Sequence, residues 1–354
     1  MEINIPPSMT PRPGEGVVYY RGKLKYTGIF HGYDMHDQPM VKNDSGSTTP
    51  LPDFLSVRLS DPNQRQLGCY SEIPDCSVVA KATEEEKAKL DLLLNQYIEP
   101  GPKYIDLIEE IWARGYEVFL VGGSVRDVLN GDQANDVDLV TTIPFSFLSS
   151  IAKSMFGPLG YSRHEKNGFM SIGHNARSNR IEERGTLIDV KNFFLHAPGT
   201  DDVEFGADMD FDHRLRDFSC NAVYYDPINY IFIDPCGFGI NDARSKTLNI
   251  INDPSLSHPI HRKAHIAMRM FKFMLRSYNP SEECIEKIKK IYEPMMRGCK
   301  PGEIWHLYYR TILSKVAKEK RVETFWKSKQ IITEAGFNDM WESYIGIKEN
   351  EYGG

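Results

Sequence analysis

The sequence predicts an α+β fold: a central domain with a mixed β-sheet, a small β-rich module before it and a helical region after it. Three observations predict this. From about residue 116 to 255, short β-branched apolar runs alternate with helix-length segments. Before residue 80, aromatic and β-branched runs recur around turn residues. After about Pro254, apolar residues recur at helical spacing to the end. The expected units are residues 1–80, a barrel-like β module; 81–255, the central domain; and 256–354, a helical neck or body.

In the first unit, 16–20 and 23–30 read as two strands around Arg21-Gly22, a hairpin signal. Residues 43–47 (Asn-Asp-Ser-Gly-Ser) read as a turn, and 54–59 as a further strand. Thr83 followed by Glu84, Glu85 and Glu86 caps a helix whose apolar face draws on Leu90, Leu93, Leu94 and Tyr97. Pro100-Gly101-Pro102 breaks it. A second helix runs from Tyr104 to about Arg114, and Gly115 ends it. Then 118–121 reads as a buried strand, 124–129 as a short helix, 137–141 as a strand and 144–155 as a helix. Strands follow over 168–173 and 186–190, then a pair over 222–225 and 230–233. The last unit carries Ile266, Met270, Phe273 and Met274 on one helical face. Further helices are expected over 281–292, 301–318 and 322–335.

Composition narrows the function classes. The formal net charge is −7 over 354 residues. No apolar run reaches about 18 residues, so no membrane span is expected. The first residues lack a basic n-region and an apolar h-region, so the expected location is cytoplasmic. Cys69, Cys76, Cys220, Cys236, Cys284 and Cys299 form no Cys-x-x-Cys pair and no zinc-finger spacing. Cys69 and Cys76 could bridge, but free thiols in a reducing cytosol are expected. Residues 258–330 hold 17 Lys and Arg against 7 Asp and Glu, a candidate footprint for RNA.

The chemistry concentrates in Leu120-Val121-Gly122-Gly123-Ser124-Val125-Arg126-Asp127 and Asn135-Asp136-Val137-Asp138-Leu139-Val140. A strand running through Gly122 and Gly123 into a helix lets a phosphate approach free backbone N–H groups. Asp136 and Asp138, two apart on an expected strand, would face the same way. Two aligned carboxylates suit Mg²⁺, whose remaining shell is water and substrate phosphate.

These residues bear a specific resemblance. Gly-Gly-x-Val-Arg-Asp followed by Asp-x-Asp is similar to the opening signature of class II CCA-adding enzymes and bacterial poly(A) polymerases, in the DNA polymerase β superfamily. Arg216-Asp217-Phe218-Ser219-Cys220-Asn221-Ala222 resembles their Arg-Asp-Phe-Thr-x-Asn-Ala. Asp234-Pro235-Cys236-Gly237-Phe238-Gly239-Ile240-Asn241-Asp242 is a looser match to Asp-Pro-x-Gly-Gly-x-x-Asp. There Phe238 replaces the second glycine and Asn241 stands at the acid. The three occur in the family's order and, with flanking helices, cover about 105–275.

The resemblance implies a nucleotidyltransferase head that takes an NTP (ATP, CTP or both) and extends an RNA 3′ end, of a tRNA or another RNA, with Mg²⁺ as cofactor. It implies that Arg126, Asp127, Arg216, Asp217 and Asn221 line the nucleotide site. Asp189 sits where the superfamily often carries a further strand carboxylate, a metal ligand or proton acceptor. Phe218 and Ala222 read as core, and Asp242 as a cap or turn residue. Two departures stand out. The family's base-selecting Glu-Asp-x-x-Arg falls on Arg262, Lys263 and Ile266, so base choice does not carry over. Residues 189–193 (Asp-Val-Lys-Asn-Phe) lack the Thr-x-Arg-like continuation.

His261 and His265, at i and i+4, read as solvated or phosphate-facing rather than as metal ligands. Trp305, Tyr308, Tyr309 and Trp326, interleaved with lysines, read either as base-stacking platforms or as core. Two other functions stay open: a nucleotidyltransferase that modifies a protein or small molecule, and an inactive RNA-binding or assembly protein retaining the head fold.

Overall fold

The structure, a computed structural model, describes residues 11, 14–21, 24–35, 38–50, 58–59, 76–113, 116–164, 168–194, 205–206, 209–254 and 260–352. At the N-terminus, β1 (Gly16–Arg21) and β2 (Leu24–Tyr33) form the expected hairpin, with Val17 opposite Gly28. β3 (Pro39–Lys42) and β4 (Thr48–Pro50) extend it, and β5 (Arg58–Leu59) pairs with β1. The turn between β3 and β4 is closed by Asn43 Oδ1, which accepts the amides of Ser45 and Ser47. Of the strand expected over 54–59, residues 54–57 lie outside the described residues. So do Cys69, Gly115 and His258.

The central sheet contains β6 (Val78–Lys81), β7 (Val118–Val121), β8 (Asp138–Thr141), β9 (Tyr161–His164), β10 (Phe169–Ile172), β11 (Ile188–Phe194), β13 (Tyr224–Asp226) and β14 (Ile231–Asp234). A two-residue strand, β12 (Phe205–Gly206), pairs with β11 and touches β2 at Tyr33. The N-terminal strands therefore continue the central sheet, in the order β4-β3-β2-β12-β11-β8-β7-β13-β14-β6. The sheet is mixed: β8 and β11 are parallel and β7 runs antiparallel to β8. Residues 78–80, expected in the N-terminal module, pair with β14 at the far edge.

Strand alternation divides the central core in two. Leu120, Leu139, Ile188, Val190, Tyr225 and Phe232 face a large helical layer. That layer includes α1 (Glu84–Leu94), α2 (Tyr104–Trp112), α3 (Gly123–Leu129) and α4 (Phe145–Phe156). Phe119, Val121, Val140, Phe193, Tyr224, Ile231 and Ile233 face the other way, against Met209 of α5 (Met209–Leu215). The Thr83 cap forms as expected, and it is reciprocal: Glu86 returns its carboxylate to the Thr83 amide at 2.9 Å, a capping box. Helix α1 ends at Leu94, however, so Tyr97 leaves the apolar face and is 58% exposed.

The chain continues through α6 (Gly239–Ser245) into α7 (Ile260–Met274). Next come α8 (Glu282–Lys287), a π turn over Ile288–Tyr292, α9 (Glu293–Met296), α10 (Pro301–Thr311) and α11 (Arg321–Glu334). Tyr308, Phe325 and Trp341 are buried among one another, and Tyr352 stacks on Phe325 at 4.5 Å. Trp305 packs on Tyr308 and Tyr309 in the same cluster, so these three belong to the core, whereas Trp326 meets Phe325 edge-on and is 38% exposed. Among the described residues, no helix is long and apolar enough to cross a membrane. Cys76, Cys220, Cys236, Cys284 and Cys299 are free thiols.

Candidate active site

A polar cleft of about 380 Å³ opens where β7, β8 and β11 meet α5 and α7. Gly122, Gly123, Asp138, Lys191, Asp212, Leu215, Arg216, Asp217, Asn221, Asn252, His265, Ile266 and Arg269 line it. Strand β7 ends at Val121, and Gly122 turns the chain with φ +80, a value that disfavours any side chain. A Cβ placed there would lie 3.6 Å from Asp138 Oδ2. The glycine turn and the first residue of β8 thus form one wall.

Asp138 is half-buried and in parallel register with Asp189 on β11. Paired residues of neighbouring strands point to the same face, here the α5 side that also carries Val140 and Phe193. Asp189 Oδ1 accepts the Ser171 hydroxyl at 2.7 Å. Asp136 differs from expectation. Strand β8 begins at Asp138, and Asp136 is exposed in the preceding loop. The reason lies next door: β7 has already turned away at Gly122, so no strand pairs with residue 136 on that side. Asp138 and Asp189 are thus aligned across two parallel strands, and Asp136 lies two residues earlier, in the loop that leads into β8. Among the described residues, no cation is ion-paired to Asp136, Asp138 or Asp189.

The second motif builds a continuous polar chain behind the cleft. Arg126 is buried, and it donates Nε and Nη2 to Asp127 Oδ1 (2.9 and 2.6 Å) and Nη1 to Asn221 Oδ1 (2.6 Å). Asn221 donates its amide to Asp217 Oδ1 at 2.9 Å, and Asp217 takes Arg269 of α7 through its other oxygen. Asp127 also accepts Arg276 Nη2, just beyond α7, at 3.2 Å. Two arginines of the α7 region are thus clipped to the head by Asp127, Arg126, Asn221 and Asp217. Burial opposes the Asp217 charge, but Arg269, Asn221 and the Phe218 amide outweigh it and hold its carboxyl below the usual range. Arg126 does not line the cleft: its guanidinium lies 4.8 Å over the Phe273 ring, turned into the protein. The expected contact with triphosphate or ribose would require its partners, Asp127 and Asn221, to be exchanged. Asp127 orients Arg126 as expected, but within the protein interior.

Arg216 does line the cleft, with its charge met by Asp212 at 3.0 and 2.7 Å and by the Tyr224 hydroxyl at 3.1 Å. Burial works against the Arg216 cation, yet Asp212 and Tyr224 raise its pKa above the ordinary value. His265 faces the cleft, and burial together with Arg269 lowers it to about 4, so it is neutral at pH 7. The sequence motifs include neither Lys191 nor Asp212, although Lys191, two residues after Asp189 on one strand face, is legible. Asp212 sits on α5, outside the elements the sequence predicts.

The third motif is structural. Asp234 is buried and accepts the amides of Cys236, Gly237 and Ile240 at 3.0–3.2 Å. Asp242, in the first turn of α6, takes the Ser219 hydroxyl and the Asn249 amide, which ties the third motif to the second.

Comparisons with known proteins agree with this geometry. Residues 118–249 match the family described as the poly A polymerase head domain. A CCA-adding enzyme of Lactobacillus helveticus is 26% identical over 207 residues, which is 58% of this chain and 47% of that protein. One from Enterococcus faecalis is 28% identical over 188 residues, 52% of this chain and 41% of that protein. The chain spans less than half the length of these relatives. Among solved structures, a CCA-adding enzyme in complex with ATP superposes with a TM-score of 0.52 at 17% identity, over 73% of this chain and 54% of that one. That likeness extends the shared fold beyond the matched segment.

Proposed function

We propose that this chain, whose residues 118–249 match the poly A polymerase head domain family, is a Mg²⁺-dependent nucleotidyltransferase. It transfers NMP from an NTP to an RNA 3′ end. The observation that carries this is the glycine turn at Gly122 set against Asp138, with Asp189 in register beside it. The residues that would hold a divalent cation are Asp138, which lines the cleft, and Asp189, in register with it. Among the described residues no group of three acidic, His or Cys side chains holds a metal by itself. Substrate phosphate and water would complete the shell, with Asp136 in the loop before β8. When bound, such ions lower the pKa of the attacking hydroxyl and neutralise the triphosphate.

The chain's own residues do the rest. Gly122 and Gly123 let the triphosphate approach the backbone closely. The 3′ oxygen bonds to the α-phosphorus, the bond to the β-phosphate oxygen breaks, and pyrophosphate leaves. Asp189 has one oxygen held by Ser171, which leaves the other to help hold a metal or to accept the hydroxyl proton. The contribution is positioning and charge rather than covalent chemistry. Base choice follows a different rule from the family's, because buried Ile266 lines the cleft where the family carries arginine.

A second concavity of about 360 Å³ supports RNA as the acceptor. Lys272, Arg276, Lys315, Lys320 and Lys327 surround an apolar floor of Leu275, Ile312 and Val316, with Glu323 the one acid among the lining residues. Burial, and then the neighbouring Arg269, Arg276, Arg126 and Lys315, lower the Lys272 pKa. The groove lies about 10 Å along α7 from Arg269, within a strand's reach of the cleft.

The test is incubation of the protein and Asp138→Ala with each NTP, Mg²⁺ and a tRNA lacking its terminal CCA, alongside total RNA and total protein. Wild type should extend RNA and the variant should not, with unchanged melting. Label on protein, or full activity in the variant, would overturn the proposal. Mg²⁺-dependent NTP binding without turnover would favour the inactive-binder reading instead.

A further inference from the structure

The segment that leads into β6, at the far edge of the central sheet, packs against the third motif. Strand β6 pairs antiparallel with β14, with Val78 opposite Asp234. Two residues back along one chain and two on along the other, the same register sets Cys76 opposite Cys236. The second chain turns there, with the Gly237 amide donating to the Asp234 carbonyl at 3.2 Å, yet the two segments stay in contact. The Cys76 thiol donates to the Pro235 carbonyl at 3.3 Å. A Cβ on Gly237 would lie 2.5 Å from the Cys76 carbonyl oxygen. Cys76 therefore touches the residue before Cys236 through its sulfur and the residue after it through its backbone. Residues opposite one another on antiparallel strands have Cα atoms about 4.5–5.5 Å apart. A disulfide needs about 4.4–6.8 Å, so this placement is within its reach.

The two thiols differ in access. Cys76 is exposed and Cys236 half-buried, whereas Cys220, Cys284 and Cys299 are buried. Burial, then Asp234 and Cys76 beside it, push the Cys236 thiol up, so little of it is thiolate at neutral pH. Cys76 is thus the sulfur that an oxidant in solution meets first. Cys236 is held against it by a fixed turn, in which its amide donates to the buried Asp234 at 3.1 Å. By sequence alone, nearby Cys69 is the residue that could bridge to Cys76. The fold gives Cys76 a different neighbour, from the far end of the central domain's sequence.

We infer that Cys76 and Cys236 form a dithiol that closes into a disulfide on meeting an oxidised low-molecular-weight disulfide, stapling the start of β6 to the third motif. The Cys76 thiolate attacks one sulfur of the small disulfide. Its S–S bond breaks, and one small thiol leaves with the Cys76 proton. The Cys236 sulfur then attacks the Cys76 sulfur of the mixed disulfide, gives up its proton and expels the second small thiol. The two cysteines lose two electrons, and the small disulfide gains them. The loop so closed contains every element from β6 to β14, and closing it restricts the unfolded chain. The staple also holds the turn before α6, whose Asp242 takes the Ser219 hydroxyl of the second motif. This chemistry is independent of the nucleotidyltransferase reading.

The experiment incubates the full chain and its Cys76→Ser, Cys236→Ser and Cys69→Ser variants with glutathione disulfide. Each is then denatured, alkylated and digested for mass spectrometry. Wild type should lose two of its six thiols and yield a peptide pair linked through Cys76 and Cys236. Cys69→Ser should behave in the same way. Cys236→Ser should stop at the mixed disulfide, with one glutathione retained on Cys76, and Cys76→Ser should form no cross-link. Oxidised wild type should melt about 5 °C above the reduced protein, and a reducing agent should reverse the shift. A link from Cys69 to Cys76, glutathione retained on wild-type Cys76, or six thiols left unchanged would each overturn the inference. Unaltered melting of reduced Cys236→Ser checks that the fold is kept, and the wild-type peptide map decides the matter without it.

Discussion

At the residue scale, Arg126 shows how a family position is used here. Its motif suggests a ligand contact, yet every guanidinium nitrogen has a protein partner and the side chain is buried. Removing one member of a buried charged pair leaves the other desolvated and unpaired. Arg126→Met should therefore cost about 3 kcal/mol in urea-induced unfolding. Asp127 would keep only the half-exposed Arg276 as a cation. Asn221 would lose its acceptor contact and loosen its grip on Asp217. If stability is unchanged and nucleotide binding is lost, the guanidinium reaches substrate after all. The expected result places this arginine in the link between head and α7, and leaves triphosphate recognition to other groups.

At the element scale, the third motif separates close approach from sequence identity. The family pattern has two adjacent glycines, and this chain has Gly237-Phe238-Gly239. Gly237 has φ +78, and a Cβ on it would lie 2.5 Å from the Cys76 carbonyl. Gly239 starts α6 so close to Ser219 that a Cβ would sit 2.6 Å from its carbonyl oxygen and 2.9 Å from Asp234 Oδ1. Phe238 has φ −131 and is 44% exposed, so nothing requires a glycine there. Gly239→Ala should thus lose about 1–3 kcal/mol through overpacking, read by thermal and urea unfolding. An unperturbed Gly239→Ala protein would mean that α6 can shift away from Ser219 freely.

The same comparison shows what could be read in advance. Strand β7, the Gly122 turn and the hairpin over 224–234 were legible, because β-branched runs and turn residues carry local signals. Helices α5 and α6 were not. Their acidic and polar residues, Asp212 and Asp242, are buried by partners far along the chain, Tyr224 and Ser219. The acid expected at Asn241 is supplied by Asp242, one residue on, which keeps a three-residue spacing from Gly239. The alignment of Asp138 with Asp189 depends on the register of two parallel strands, which no local pattern encodes.

At the scale of the whole molecule, charge is distributed against the net balance. The chain is acidic by 7, yet the concavity beside α7 is ringed by five cations drawn from α7, the turn after α10, and α11 with the turn before it. Like charges held together repel, and a polyanion laid along the concavity would relieve that repulsion. RNA binding through such a groove has a distinctive salt dependence, because each neutralised phosphate releases counterions. Replacing Lys315, Lys320 and Lys327 together by alanine should weaken binding of a single-stranded RNA. It should also reduce the slope of log affinity against log salt by about 2, at about 0.7 per phosphate contact. NTP binding should be unchanged, since the triple variant leaves the clip from Arg269 to Arg276 intact. A slope equal to that of wild type would remove the groove from the acceptor path. The strand would then have to leave the cleft over the opposite wall, along Lys191 and α5. Parallel measurement on Lys191→Met separates the two routes, because only a strand on that wall would lose salt dependence there.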